Sequence, residues 1–469
     1  MVSASPSSTS PAAKSVAILG AGITGLAAAH RLATRGYRIR VFEASDHVGG
    51  SIRTERSDGW LVEGGPNTLL GGDPALNELI AEAGLADERV EANATARNRF
   101  IVRGGRPLAA PLSPPAAITT PLLSFAGKMR IFGDLFARRR VRTSDISLEE
   151  FIAAHFGQEL VDYALNPFVS GVYAGTPKKL SARHSFPQLW ELEQQHGSII
   201  RGQMAAAKAR KASGQPRPKR GIFSFRQGLA ALPQALAASL PVGTLTLNAR
   251  VEALVPGPAW SVVWRGTEPG APTQTDTFDL VLSALPAAGL AQLRFGTLGE
   301  RPLASLDAID HPPVSSLFLG YRRDQVTHAL DGFGVLVPEI EHRSVLGILF
   351  SSSLFPGRAP DGHVALTVMA GGMRQPEIAR LPEEKLLATV DRDLRELLGV
   401  KGEPVFRRHN FWPRAIPQYN LGYERHLETM AAAERNHPGF FIGGQVRDGI
   451  AVPACIAAGE KLAQRVLRA

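Results

Sequence analysis

From Ser15 to Glu43 the chain reads SVAILGAGITGLAAAHRLATRGYRIRVFE, and this stretch constrains the fold more than any other. The apolar run Ser15 to Leu19 has the length of a buried strand and stops at a glycine. Thr24 to Thr34 is rich in Ala and Leu and reads as a helix. Arg38 to Phe42 alternates basic and apolar residues and reads as a second strand. Strand, helix and strand within about thirty residues make a parallel βαβ unit. Gly20, Gly22 and Gly25 form a GxGxxG at the strand-to-helix turn. The first glycine permits a tight turn, the second lets backbone approach a pyrophosphate, and the third lets helix and strand pack closely. The helix start at Ile23 and Thr24 then offers unpaired N–H groups and a positive dipole end to phosphate. Glu43, with Ala44 after it, stands 18 residues beyond Gly25 at the end of the second strand. A carboxylate there accepts hydrogen bonds from ribose hydroxyls and disfavours a 2′-phosphate, which argues against NADP.

Later segments extend the α/β reading. Thr244 to Leu247, Trp260 to Trp264, Leu280 to Leu282, Val314 to Tyr321 and Val364 to Met369 are strand candidates, and Gly266 to Thr277 reads as a polar loop. Glu383 to Leu398 has helical spacing, and Gly439 to Ile442 leads through a Gly-rich turn to a helix over Ala454 to Leu467. The middle, about 107 to 221, has helical patches, basic clusters and few strands, with a mobile loop expected over Ala212 to Arg220. A 469-residue chain that is 44% hydrophobic and 20% charged can bury a sizeable core, and its length corresponds to roughly three domains. The single cysteine, Cys455, excludes intramolecular disulfides and Cys-based metal clusters and reads as a small packing residue. The twelve histidines lack metal-ligand spacing, so no metal is expected, and no GxSxG elbow occurs. Met1 to Ala13 is uncharged Ser, Thr, Pro and Ala and reads as a disordered leader, without the features of a signal or transit peptide. No apolar run reaches the roughly eighteen residues that a spanning helix needs.

The choice between FAD and NAD rests on the segments beyond the fingerprint. Val48-Gly49-Gly50-Ser51-Ile52-Arg53 places a glycine doublet a short loop beyond Glu43, and GWLVEGGPN over Gly59 to Asn67 places another strand and Gly-rich turn. Extra glycines here allow backbone to run along a cofactor longer than one mononucleotide half, which favours FAD. Near the C-terminus, Phe440-Phe441-Ile442 runs into Gly443 and Gly444, and Asp448-Gly449-Ile450-Ala451-Val452 precedes the last helix.

These segments resemble the FAD-binding amine oxidase superfamily, and further blocks resemble its protoporphyrinogen oxidase family. They are Gly64-Gly65-Pro66-Asn67-Thr68, Asn98-Arg99-Phe100-Ile101-Val102, Ser170-Gly171-Val172-Tyr173-Ala174-Gly175, Gly197-Ser198-Ile199-Ile200, Phe223-Ser224-Phe225-Arg226, Ser351-Ser352-Ser353-Leu354-Phe355-Pro356 and Trp412-Pro413-Arg414-Ala415-Ile416-Pro417-Gln418. The resemblance covers Val16 to Ala458 and is nearest to the plant-like, oxygen-dependent branch. It implies a flavoprotein that removes six electrons from protoporphyrinogen IX, with dioxygen as acceptor and hydrogen peroxide as product. It also implies site roles. Arg99 would hold a substrate propionate, its planar fork suiting a carboxylate, although by itself it reads as a surface arginine. Asn67 would orient substrate or flavin, Gly175 would bring backbone to a pyrrole, and Leu336 and Phe355 would sandwich the macrocycle, where core packing is the plainer alternative. Noncovalent FAD would be held by Gly20, Gly22, Ile23, Thr24, Gly25, Glu43, Ala44, Gly50, Ser51, Gly65, Pro66, Asn67, Thr68, Val251, Ala284, Trp412, Gly444, Ile450, Ala451 and Val452. Many relatives carry an acid directly after the C-terminal strand glycine. Gly444 and Gln445 stand there in this chain, which puts the usual carboxylate contact to the ribityl chain in doubt.

The expected architecture is a discontinuous Rossmann-like FAD domain (14–91, 222–300, 408–469), a mixed α+β substrate domain (92–106, 301–407) and a helical membrane-facing domain (107–221). Leu122, Phe125, Met129, Phe132, Leu135 and Phe136 have helical spacing and precede Arg138-Arg139-Arg140 and Arg142. This reads as an amphipathic basic helix able to lie on an anionic leaflet, or as a helix packed on the protein with a solvated charged side. The net charge of +9 resides in one tract. Arg201, Lys208, Arg210, Lys211, Arg217, Lys219, Arg220, Arg226 and Arg250 fall between Gln194 and Val251 with no acid among them. The basic stretches lack interleaved aromatics, so nucleic acid is excluded. A cytoplasmic protein peripherally bound to membrane is expected, and a homodimer stays open. Rival functions are coproporphyrinogen III oxidation, another amine oxidase or desaturase chemistry, and non-catalytic tetrapyrrole or FAD binding.

Overall fold

The computed structural model describes residues 14–138, 142–213 and 221–468. The leader, Arg139, Arg140 and the basic residues Arg217, Lys219 and Arg220 lie outside them. A five-stranded, all-parallel sheet runs in the order Leu245–Thr246, Arg38–Phe42, Ser15–Leu19, Leu280–Ser283, Phe440–Ile442. Parallel strands are covered on both faces, and the central strand shows it: all five of its residues are buried. Val16 and Ile18 pack with the helices Ile23–Ala33 and Val452–Arg468 on one side. Ala17 and Leu19 pack on the other with Trp260 and Trp264 of a four-stranded sheet. The period-two alternation of a strand thus divides SVAIL between two cores.

A seven-stranded mixed sheet runs Phe406–Trp412, Val314–Arg322, His363–Gly371, Val345–Leu349, Gly332–Leu336, Asn98–Arg103, Arg106–Ala109. The helix Glu383–Leu398 covers it with Leu386, Val390, Leu394 and Leu397, an i, i+4, i+8, i+11 stripe. Gly399, at φ 62°, stops that helix in the left-handed conformation. Thr273–Phe278 corrects the reading of Gly266 to Thr277 as loop throughout. Its run TQTDTF has almost no apolar periodicity, but its backbone pairs with the strand Trp260–Gly266 in an antiparallel ladder.

Between these sheets in sequence stand the helices Pro114–Thr119, Phe125–Gly133, Leu148–Phe156, Asn166–Tyr173, Pro187–His196 and Ile199–Ala212. The amphipathic segment is shorter than its spacing predicts. Phe125–Gly133 is α-helical and Asp134–Phe136 a single 3₁₀ turn. Leu122 is buried and leaves the stripe, whereas Phe125 and Phe136 are 80% and 84% exposed, with Met129 and Phe132 between them. The turn is anchored from inside. Asp134 accepts from Ser198 Oγ and Ile200 N–H and meets His155, whose other ring nitrogen meets Glu193. Burial alone would lower the His155 pKa, but its bonds to Glu193 and Asp134 outweigh that and raise it. Two basic residues expected on the surface are engaged here. Arg142 pairs with buried Glu193, and Arg201 donates to the carbonyls of Leu135, Ala137 and His196.

Candidate functional site

Four strands of the parallel sheet end in one row, with Leu19 level with Phe42 and Ser283, and Ser283 level with Ile442. Gly20, Glu43, Ala284 and Gly443 therefore stand side by side along the carboxyl edge, the side on which open α/β sheets bind ligands. The three fingerprint glycines are needed for three different reasons. Gly20 has φ 99°, and a Cβ on it would sit 3.4 Å from Ala284 O. A Cβ on Gly25 would lie 1.9 Å from Gly20 O, so only glycine lets the helix rest on the strand. A Cβ on Gly22 would meet nothing within 4 Å; it faces open space. Gly22 is also the N-cap of Ile23–Ala33 and makes no side-chain cap, and no acid stands in the first turn. The free N–H groups, the positive helix end and the space before Gly22 together fit a pyrophosphate.

Glu43 is fixed before any ligand arrives. Its Oε2 accepts from Ala21 N–H at 2.8 Å, and its Oε1 from Ser45 N–H at 2.9 Å and Ser45 Oγ at 2.7 Å. Each carboxylate oxygen carries two lone pairs, so capacity for a ribose hydroxyl remains. Ala44 is the next residue, and Val251 lies in the strand Ala249–Val255, whose first N–H donates to Glu43 O at 2.8 Å. Gly49 N–H donates to Ala21 O at 2.9 Å, which brings the Gly49-Gly50 doublet against the fingerprint.

The GGPN turn lies beyond it. A Cβ on Gly65 would stand 2.0 Å from Ser51 O, so the two backbones touch. Asn67 Nδ2 donates to Gly65 O at 3.0 Å, and Trp412 Nε1 donates to Gly64 O at 2.9 Å, with the Arg53 guanidinium over the Trp412 ring. Pro66 and Thr68 complete the turn before the short strand Leu69–Leu70. At the C-terminal side, Gly444 has φ 101° and its N–H donates to Asp448 Oδ2 at 2.9 Å. Gly449, before Ile450 and Ala451, donates to the Tyr419 hydroxyl at 2.9 Å, and Tyr419 donates to Gln445 O. Val452 starts the last helix, and Thr24 Oγ1 donates to Cys455 O at 3.0 Å, joining the two helices of the site. The Cys455 thiol is pushed up to about 12 by burial, as a packing residue would be.

Of the residues expected on the substrate side, Arg99 and Leu336 lie in the seven-stranded sheet. Arg99 pairs with Gly334 and Ile101 with Leu336 on adjacent parallel strands, which places Arg99 and Leu336 on one face. Arg99 is exposed, makes no ion pair among the described residues, and lies 5.6 Å from the Phe333 ring. Phe333 packs in turn with buried Phe355. Leu336 fills the space above two glycines: a Cβ on Gly171 would be 2.5 Å from its Cδ2, and one on Gly347 3.4 Å. Gly175 comes directly after Ala174, a left-handed residue at φ 52°. A Cβ on Gly175 would strike Gln418 Oε1 at 2.3 Å, and that buried Oε1 has no hydrogen-bond partner among the described residues.

Two residues that sequence reasoning missed tie the cofactor side to this wall. Glu63, immediately before the GGPN turn, is buried and accepts from Thr54 Oγ1 at 2.6 Å and Leu229 N–H at 2.9 Å. Its cation is Arg358, also buried, 3.4 Å away, donating to Ser224 Oγ and lying over the Phe355 ring. Burial pushes the Glu63 carboxyl above, and the Arg358 guanidinium below, its ordinary value. The acid in GWLVEGG is visible in the sequence, but its partner lies almost three hundred residues away.

Comparisons with known proteins point to one family. Residues 23–467 match the family model described as "Flavin containing amine oxidoreductase". Protoporphyrinogen oxidase 2, chloroplastic/mitochondrial, of Arabidopsis thaliana is 36% identical over 97% of this chain and 94% of its own length. Coproporphyrinogen III oxidase of Staphylococcus aureus is 27% identical over 97% of this chain and 99% of its own. A solved structure from Exiguobacterium sp. 255-15 superposes with a TM-score of 0.80 at 24% identity, covering 97% of this chain and 99% of that one, and carries the same fold. The chain belongs to the flavin containing amine oxidoreductase family, and within it to the protoporphyrinogen oxidases.

Proposed function

We propose that this chain oxidises protoporphyrinogen IX to protoporphyrin IX with FAD as its redox group. The observation that carries the reading is full-length similarity to protoporphyrinogen oxidases at 36% and 33% identity. Three two-electron steps each remove a hydride from a methylene bridge and a proton from the ring system. FAD, when bound, supplies the hydride acceptor. In total, three dioxygen molecules take up the six hydrogens and leave as three molecules of hydrogen peroxide. Neighbouring pyrroles stabilise the developing cation, so the protein has mainly to bind, orient and exclude water.

The residues divide that work. Arg99, lacking a carboxylate partner, takes a propionate through its planar fork. Leu336 and Phe355, with Phe333 packed beside the latter, form the apolar walls, and Gly175 brings backbone to a pyrrole. Asn67, with Nδ2 held by Gly65 O, keeps Oδ1 as an acceptor for a pyrrole N–H. Protoporphyrinogen carries two propionates and coproporphyrinogen four, so the two substrates differ in the number of cationic anchors they require. Protoporphyrin and coproporphyrin fluorescence should be recorded with both substrates side by side. The reading expects faster turnover of protoporphyrinogen, and expects Arg99→Ala to raise its KM on the order of tenfold with a smaller change in kcat. An unchanged KM in Arg99→Ala, or preference for coproporphyrinogen, would refute it.

The three-part division into FAD, substrate and membrane-facing regions is part of this proposal. No helix among the described residues is long and apolar enough to cross a membrane. The exposed stripe Phe125, Met129, Phe132 and Phe136, flanked by Lys128 and the basic helix Ile199–Ala212, supports a seat on an anionic leaflet, which suits a poorly soluble substrate. A Phe125→Glu, Phe132→Glu double variant should lose co-sedimentation with anionic vesicles yet keep turnover of detergent-dispersed substrate; retained binding would sink the idea.

A further inference from the structure

Asp145, His184 and Glu424 come from three separate segments, and one oxygen or nitrogen of each lies within 4.8 Å of the other two. This explains why the histidine spacing shows no metal pattern. Backbone hydrogen bonds pin the segments together: Leu148 N–H to Leu180 O at 2.7 Å, Ala182 N–H to Ile146 O at 3.0 Å, and Ser181 N–H to Tyr419 O at 2.9 Å. The segments that carry Asp145 and His184 are therefore brought together without a ligand.

The remaining chemistry points to a cation. Asp145 Oδ1 is oriented by the N–H groups of Ile146, at 2.9 Å, and Arg183, at 3.3 Å. Its Oδ2 is buried and has no hydrogen-bond partner among the described residues. His184 Nε2 is likewise buried without a hydrogen bond, 3.4 Å from Glu424 Oε2. Neither carboxylate pairs with a Lys or Arg among the described residues, although the chain carries an excess of them. Donors about 2.1 Å from a tetrahedral metal stand about 3.4 Å apart, as His184 and Glu424 already do. Glu424, the first residue of the helix Glu424–Asn436, is 62% exposed at its side chain and free to swing the remaining ångström toward Asp145. A cavity of about 460 Å³, lined by His184, Arg183, Trp190 and Arg142, opens beside His184 and leaves room for water as a fourth donor.

We propose that Asp145, His184 and Glu424 bind a borderline divalent cation, for which one imidazole and two carboxylates suit Zn²⁺. The ion clamps the helical layer to the segment around Tyr419, whose hydroxyl holds Gln445 and Gly449 at the flavin-side turn. None of the three donors is among the residues assigned to the oxidation site, so the ion needs no part in its chemistry.

The test uses tag-free, chelator-treated holoenzyme titrated calorimetrically with Zn²⁺ alone, and then thermal melting with and without the metal. Wild type should bind about one ion per chain and melt at a higher temperature with it. Glu424→Gln should weaken binding at least tenfold and His184→Gln abolish it, both with FAD content unchanged. Equal titration of wild type and Glu424→Gln, or no saturable binding at all, overturns the proposal. Because Glu424 is exposed, its variant keeps the test decisive even if His184→Gln does not fold.

Discussion

Gly25→Ala should yield protein without bound FAD and with a lowered unfolding temperature. The added methyl would lie 1.9 Å from the Gly20 carbonyl oxygen, backbone against backbone, where no side-chain rotation can relieve it. The helix Ile23–Ala33 would have to lift off the strand Ser15–Leu19, and with it the N–H groups that face the pyrophosphate. Lifting it also breaks the packing of its buried face, including Leu26, Ala27, Ala28 and Ala29, against the last helix. Gly22→Ala separates the two effects. Its methyl meets no protein atom within 4 Å, so the apo fold should survive while the pyrophosphate loses its space. Gly133→Ala, equally open, should leave FAD content unchanged. Yellow, FAD-replete Gly25→Ala protein would show that this turn does not carry the cofactor.

Arg358→Ala should be the most damaging substitution outside the dinucleotide turn. It leaves the Glu63 carboxylate 4% exposed and without its cation. Removing one partner of a buried pair costs about 3–5 kcal/mol, because the other charge stays desolvated. Thr54 and Leu229 still donate to Glu63, which places the expected loss toward the lower end of that range. Activity should fall as well, since Arg358 lies over Phe355 and Glu63 leads directly into Gly64 and Gly65. Pairing Arg358→Met with Glu63→Gln should recover much of the stability by removing both charges. A double-mutant cycle in thermal melts reads this coupling, and strictly additive losses would disprove it.

The dinucleotide half is legible in the sequence because its signals are local. SVAIL, the three glycines and Glu43 fall within thirty residues, and Gly20 and Gly25 meet steric demands set by nearby backbone while Gly22 keeps open space. Glu383 to Leu398 is readable to its ends for the same reason, an amphipathic stripe closed by Gly399. The elements that escape are non-local or weakly periodic. TQTDTF has no apolar alternation and owes its strand to its neighbour. Arg201 reads as surface charge in a basic tract, yet three carbonyls claim its guanidinium. The proposed substrate wall depends on register between Asn98–Arg103 and Gly332–Leu336, more than two hundred residues apart, so resemblance to a family, not spacing, brings Arg99, Leu336 and Phe355 into view.

The central claim is that porphyrinogen oxidation and flavin reduction are one event in this protein. The direct measurement is anaerobic addition of protoporphyrinogen IX to the purified FAD-loaded enzyme, recording flavin absorbance and porphyrin fluorescence together. The account predicts that the flavin bleaches on mixing, that its colour returns on admitting air, and that protoporphyrin then accumulates with three equivalents of hydrogen peroxide. Flavin that stays oxidised while porphyrin forms no faster than in buffer would contradict it.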